Sequence, residues 1–301
     1  MPSRELTLIL TAFKARGNDR AGQSVEEARR ELESLVRLCP VAPDVEVTPV
    51  EAGGVAAEWL VVPESRPERV LLFFHGGAYA LGSLVSHRDL ASRLARAAGA
   101  RALAVDYRLA PEHPFPAAWE DACAVYGWLA RQGVGTEQLT LAGDSAGGGL
   151  ALACLASLPP GRQGACGVAL FSPWVDLAGT GASIDQRSAL DPVIQRAYLE
   201  HSARLYLAGA DPLDPRASPL FGRLAGLPPL LVQVGTHETM YDDAARLVTK
   251  AKEEGVEAEL EPWAEMFHGW QLYARLLPEG REAIERAGRF LAGCYERLGK
   301  Q

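Results

Sequence analysis

The spacing of apolar residues changes several times along the chain. Leu6, Ile9, Leu10 and Phe13 recur at i, i+3, i+4 and i+7, one face of a helix. Ser24 and Glu27 form a capping-box pair before a second helix toward Cys39, whose apolar face is Val25, Ala28, Leu32 and Leu35. Pro40 and Pro43 end it. From Val45 the period drops to two. Val45 and Val47, then Val55, Ala57, Trp59 and Val61, flank Gly53-Gly54, which predicts a hairpin. Short apolar runs at Val70–Phe74, Ala102–Val105, Leu139–Ala142, Val168–Phe171 and Leu230–Val234 predict buried strands, and Val256–Glu261 alternates again. Helical patterns at His87–Ala98, Pro116–Arg131, Ala146–Leu158, Met240–Glu254 and Arg281–Arg297 separate them.

This rhythm predicts an α/β fold with a mostly parallel eight-stranded sheet, helices on both faces and an antiparallel hairpin at one edge. The segment from Leu177 to Leu220 breaks the rhythm. It is rich in Gly, Asp and Pro around one helix, at about Val193–Leu207. It reads as an insertion at the carboxyl ends of the strands. With the helices of residues 1–44 it would form a helical cap over a main domain spanning 45–301.

Composition narrows the possible partners. Hydrophobic residues make up 48% of the 301 positions and charged ones 23%, which suits a folded domain and excludes disorder. The formal net charge is −8, so neither nucleic acid nor an anionic membrane surface is an expected partner. The five cysteines form no CxxC and the chain has no HExxH, so neither a disulfide framework nor a metal site is expected. No apolar run has the length of a leader or a membrane span, and the expected location is cytoplasmic.

Gly143-Asp144-Ser145-Ala146-Gly147 is a G-x-S-x-G motif between a predicted strand and a predicted helix, the context in which its serine is held out on a sharp turn. Ser145 is the candidate nucleophile. His75-Gly76-Gly77-Ala78-Tyr79 follows another strand, and its glycines would let backbone N–H groups converge on an oxyanion. Gly76 and Gly77, with Ala146 after the nucleophile, are the candidate donors. The base should follow an acid late in the chain. Among the six histidines, His268 lies in a loop after the last strand, beside Gly269. The acid should follow the strand Leu230–Val234. Glu238 is in that loop and is favoured. Asp242, in the first helical turn where acids also stabilise a helix dipole, is the alternative.

With these residues in place, the chain resembles the hormone-sensitive-lipase-like carboxylesterases of the α/β-hydrolase superfamily, bacterial family IV. The matching pieces are HGGAY at 75–79, DYRLAPEHPFPAA at 106–118, GDSAGG at 143–148, VGTHETMYDDA at 234–244 and FHGW at 267–270. The resemblance implies Ser145 as nucleophile, His268 as base, and Gly76, Gly77 and Ala146 as the oxyanion hole. It also implies a substrate-binding cap made from the N-terminal helices and the 177–220 insertion. Two departures stand out: Ala78 replaces the family's third glycine, and Glu238 stands where most members carry aspartate. An alanine at a position needing positive φ would be strained.

The implied activity is hydrolysis of short-chain acyl esters through an acyl-enzyme, without cofactor or metal. Hydrolysis of lactones, as in the similar monoterpene ε-lactone hydrolases, would use the same residues. A ligand-binding receptor on the same fold is a third reading. The gibberellin receptors resemble this family but lack the catalytic histidine, and His268 argues against that role. The implied partner is a small ester or lactone, and a homodimer is compatible with the resemblance. Trp174, Tyr79 and Met266 are the expected pocket walls. Asp106, Arg108 and Glu112 are expected to bond locally and hold the proline-rich turn.

Overall fold

The computed structural model describes residues 3–16, 23–34, 39–159 and 164–298. Two helices open the chain, α1 (Arg4–Arg16) and α2 (Val25–Ser34). The capping box forms as the sequence predicts: Glu27 N–H donates to Ser24 Oγ at 3.3 Å, and Ser24 N–H donates to the Glu27 carboxylate at 2.9 Å. The continuation toward Cys39, with Leu35, lies outside the described residues.

The hairpin β1 (Glu46–Ala52) and β2 (Val55–Val61) turns at Gly53-Gly54. Six more strands follow: β3 (Arg66–Phe74), β4 (Ala100–Val105), β5 (Leu139–Asp144), β6 (Gly167–Phe171), β7 (Leu230–Gly235) and β8 (Ala258–Trp263). Their spatial order is β1-β2-β4-β3-β5-β6-β7-β8, with β2 antiparallel to both neighbours and β3 to β8 parallel. The expected eight-stranded, mostly parallel sheet is therefore present.

Helices α3 (Leu84–Ala98) and α9 (Pro278–Leu298) bury one face of the sheet. The other is buried by α4 (Ala117–Arg131), α5 (Ala146–Ala156) and α8 (Tyr241–Glu253). Burial on both faces explains why the central strands read as continuous apolar runs rather than alternating ones. The 177–220 segment carries α6 (Ser183–Gln186) and α7 (Arg196–Leu207). Helix α7 starts three residues later than the apolar pattern suggests, because Asp191 caps the Val193 and Ile194 amides in a turn. No described helix is long and apolar enough to cross a membrane.

The strand order positions the site. After β3 the chain moves outward to β4 and returns across it to β5, so β3 and β5 become neighbours with Phe74 opposite Gly143. The loops leaving their carboxyl ends diverge there and open a crevice, the usual ligand position in such sheets.

Candidate active site

Ser145 stands between β5 and α5 with φ 51° and ψ −121°, a conformation costly for any residue with a Cβ. The flanking glycines make the turn possible. A Cβ on Gly143 would lie 2.4 Å from the Gly147 carbonyl carbon, and one on Gly147 would lie 2.1 Å from the Phe74 carbonyl oxygen. Ser145 N–H donates to Phe171 O at 2.8 Å, pinning the strained residue to β6.

His268 Nε2 lies 3.0 Å from Ser145 Oγ, and its Nδ1 lies 2.8 Å from Glu238 Oε2. Glu238 is fully buried. Its other oxygen accepts from Ser172 Oγ at 2.7 Å and from Gly235 N–H at 2.5 Å. A carboxylate can only accept, so Nδ1 carries the proton and Nε2 is left with a lone pair facing Ser145. Asp242 is engaged elsewhere: its carboxylate accepts from Ser183 N–H at 2.9 Å and its own N–H donates to Ser183 Oγ at 3.0 Å. Burial pulls the His268 imidazole down. The Glu238 hydrogen bond and charge, then Asp191 and Asp144, outweigh burial and raise its pKa above the ordinary 6.5. His75, the other histidine of the motifs, is pulled down to about 3 by burial and by the neighbouring His87, so it stays neutral.

The loop after β3 corrects one expectation. Gly76 N–H does not face an open site; it donates to Asp144 Oδ1 at 2.9 Å. A Cβ on Gly76 would lie 2.1 Å from Asp144 Oδ2, so this glycine admits the aspartate of the nucleophile motif. Asp144 Oδ2 lies 3.3 Å from His87 Nε2. Burial acts to raise the Asp144 carboxyl, but His87, then His75 and the Gly76 amide, hold it below its ordinary value. Gly77, Ala78 and Tyr79 all take positive φ, at 118°, 54° and 59°. Gly77 and Ala78 line the cavity, and among the described residues no hydrogen bond occupies their N–H groups or that of Ala146. Ala78 therefore does sit in the left-handed region.

A cavity of about 180 Å³ opens above Ser145 and His268. Trp174 lines it, with Ile194, Tyr198, Leu199 and Met240 from the insertion and the start of α8. Tyr79 and Met266, expected as walls, are not among its lining residues. The Tyr79 ring stacks on Tyr206 at 3.9 Å, and Met266 packs with Leu6, Phe267 and Trp270 beneath α1. Both support the loops from behind.

Each outer segment grips one loop. Helix α1 sends Phe13 into the cavity wall and against Phe267, next to His268, at 5.1 Å. Helix α2 sends Arg29 to the carbonyls of Ala80 and Ala110 and to both oxygens of Glu112. The insertion holds the acid loop through Ser183 and Asp191. Glu112 thus reaches α2 rather than its own turn, and Arg108 pairs with Asp121 and Glu120 on α4. The expected local bonding is kept in part, since Arg108 also donates to Ala117 O at 3.1 Å within the proline-rich segment, and the helix anchors are added because these side chains are long enough to leave the turn. Ser172, Arg29 and Asp191 were not legible beforehand. Asp144 lies inside the serine motif, but its hold on the Gly76 amide was not legible either.

The chain from residue 71 to 272 matches the family model described as alpha/beta hydrolase fold. It is 47% identical over 296 residues to an acetyl-hydrolase of Streptomyces hygroscopicus, covering 97% of each chain. It is 36% identical to an esterase of Acinetobacter venetianus, covering 86% of each. A crystal structure of an esterase from the bacterial hormone-sensitive lipase family superposes with a TM-score of 0.94 at 42% identity, covering 98% of this chain and 99% of that one. Fold, sequence and the serine on its strained turn agree, and the chain belongs to the hormone-sensitive-lipase-like carboxylesterases of the α/β-hydrolase superfamily.

Proposed function

We propose that this carboxylesterase cleaves short-chain acyl esters through a Ser145 acyl-enzyme. The observation that carries the reading is the continuous hydrogen-bonded line from Ser145 through His268 to buried Glu238. In this reading His268 Nε2 takes the Ser145 proton as Oγ attacks the ester carbonyl. Glu238 holds the tautomer and balances the imidazolium. The free N–H groups of Gly77 and Ala146, joined by Ala78 in place of Gly76, receive the oxyanion. His268 then gives its proton to the departing alcohol and activates a water that releases the acid.

Residues 1–44 and 177–220 act as the cap in this reading, since both supply cavity walls. The cavity of about 180 Å³ is smaller than drug-sized sites, which begin near 300 Å³. Each fitted methylene adds about 0.8 kcal/mol until the wall is met. Activity on p-nitrophenyl esters should therefore peak at roughly two to six acyl carbons, a range in which burial still gains. The test is kcat/KM from acetate to palmitate below micelle-forming concentrations, with compact lactones in the same panel. An organophosphonate should add its mass to the peptide carrying Ser145. A maximum at long chains would refute the compact pocket, and labelling elsewhere would refute the serine mechanism.

A further inference from the structure

The 177–220 insertion contributes more than cavity walls. Asp191 is 1% exposed, and every hydrogen bond to its carboxyl group comes from a donor. Its Oδ1 accepts from the amides of Val193 at 2.9 Å and Ile194 at 3.0 Å. Its Oδ2 accepts from Thr239 N–H at 2.9 Å and lies 3.2 Å from Thr239 Oγ1. The backbone N–H groups that reach both oxygens favour the charged form and act against the burial that raises this carboxyl above its ordinary value. Val193 and Ile194 line the cavity, and Thr239 directly follows Glu238. One buried carboxylate therefore joins the substrate wall to the acid loop.

We infer that Asp191 is a positioning residue that seats Glu238 and adds a second negative charge behind His268, so that the cap itself sets the basicity of the catalytic imidazole. This rests on the Ser145–His268–Glu238 reading given above. The charges that raise His268 are Glu238 from the loop after β7, which touches it, and then Asp191 from the insertion and Asp144 from the end of β5, the last paired with His87. The insertion also brings Arg187, whose guanidinium donates to Thr236 O and lies over the Tyr241 ring at 3.8 Å. Burial raises the Asp191 carboxyl above its ordinary value; His268 opposes this, Glu238 adds to it, and the Ile194 and Thr239 amides oppose it, so charge on His268 and on Asp191 is mutually supporting. A residue that only fastened the insertion would do so without moving the titration of His268.

The experiment is the pH profile of kcat/KM on p-nitrophenyl butyrate for three variants of the full chain. In Asp191→Asn one oxygen still accepts from Val193 and Ile194, but the new amide faces the Thr239 donors and the charge is gone. The acid limb should move down by about half a pH unit, with kcat falling about tenfold and KM staying within about threefold. Ser183→Ala breaks different links between the insertion and the acid loop, the hydrogen bond to Thr239 O and the one accepted from Asp242 N–H, and removes no charge. It should leave the limb where the wild type has it. Thr239→Val deletes one donor to Asp191 and keeps its charge. It is the deciding variant if Asp191→Asn does not fold, and should lower kcat about threefold with KM unchanged.

An unmoved limb in Asp191→Asn, an equal shift in Ser183→Ala, or, where Asp191→Asn does not fold, an unaltered Thr239→Val would overturn the inference. Ser145→Ala separates the two readings. If it keeps turnover, the triad itself falls. If it is dead while the Asp191 result is negative, only the present inference falls.

Discussion

The two flanks of Ser145 are built by different means. On one side the loop from His75 to Gly82 works by backbone shape. Three consecutive residues take positive φ, Gly76 makes room for Asp144, and Tyr79 is braced against Tyr206. On the other side the loop from Gly235 to Asp243 works by buried charge. Glu238 and Asp191 are acids removed from water, each receiving N–H or O–H donors from segments distant in sequence, and burial pushes Asp243, which receives the Val175 and Asp176 amides, up to about 8. A shaped loop has its donors fixed before substrate arrives, and its outside partners, Asp144, Arg29 and Tyr206, brace that shape. A charged loop must be satisfied by partners, because an uncompensated buried carboxylate is expensive. The difference teaches that the first flank depends on which residues lack side chains, and the second on which side chains meet.

The strongest test removes the point where the flanks converge. Ser145→Ala should lower kcat/KM by about 10⁴–10⁶ while the unfolding midpoint stays within a few degrees, since the lost hydroxyl is not part of the core. Next comes the charged flank alone. Glu238→Gln should cost about 10³–10⁴ in kcat because glutamine can donate to Nδ1 and favour the wrong tautomer. Asp242→Asn, which touches Ser183 and not His268, should cost less than about tenfold. If Asp242→Asn is the crippled variant, the assignment of the two sides is wrong.

The shaped flank answers to Asp144→Ala. It frees Gly76 N–H and loosens the loop that aims the remaining donors, and it should lower kcat about a hundredfold, the scale of one misplaced oxyanion donor. The pH profile sharpens the charged flank further. Its carboxyl groups hold His268 above 6.5, and the proposed mechanism needs the neutral imidazole. Activity should therefore rise with pH through a midpoint above 6.5 and fade as His268 is protonated below it. A midpoint below 6.5 would mean that burial outweighs the carboxylates.

The smallest effect belongs to Ala78→Gly. The left-handed alanine costs about 1 kcal/mol, and the added freedom of glycine in the unfolded chain offsets a similar amount. Stability should change by less than about 1 kcal/mol and kcat by less than about twofold. A tenfold loss would show that the methyl group, not the backbone shape, matters at the cavity wall.

Local pattern alone determined the sheet, its edge hairpin, the serine turn and the loop histidine. Each is encoded within a few consecutive residues: apolar runs where both faces are covered, glycines where a Cβ would strike backbone, and a serine–glutamate pair at a helix start. Glu238 could be favoured over Asp242 because loop and helix positions differ in the sequence. Only the tertiary structure decided that Asp144 takes the Gly76 amide, that Ser172 supports Glu238, and that Tyr79 and Met266 stand behind the cavity. It also decided that Arg29 and Asp191 fasten the outer helices to the reacting loops. The hydrogen bonds among these contacts join residues from 48 to 83 positions apart, as between Asp191 and Thr239 or Arg29 and Glu112. Hydrogen bonds between groups so far apart leave no periodic trace in a sequence, because their partners become neighbours only after the strands have taken their order.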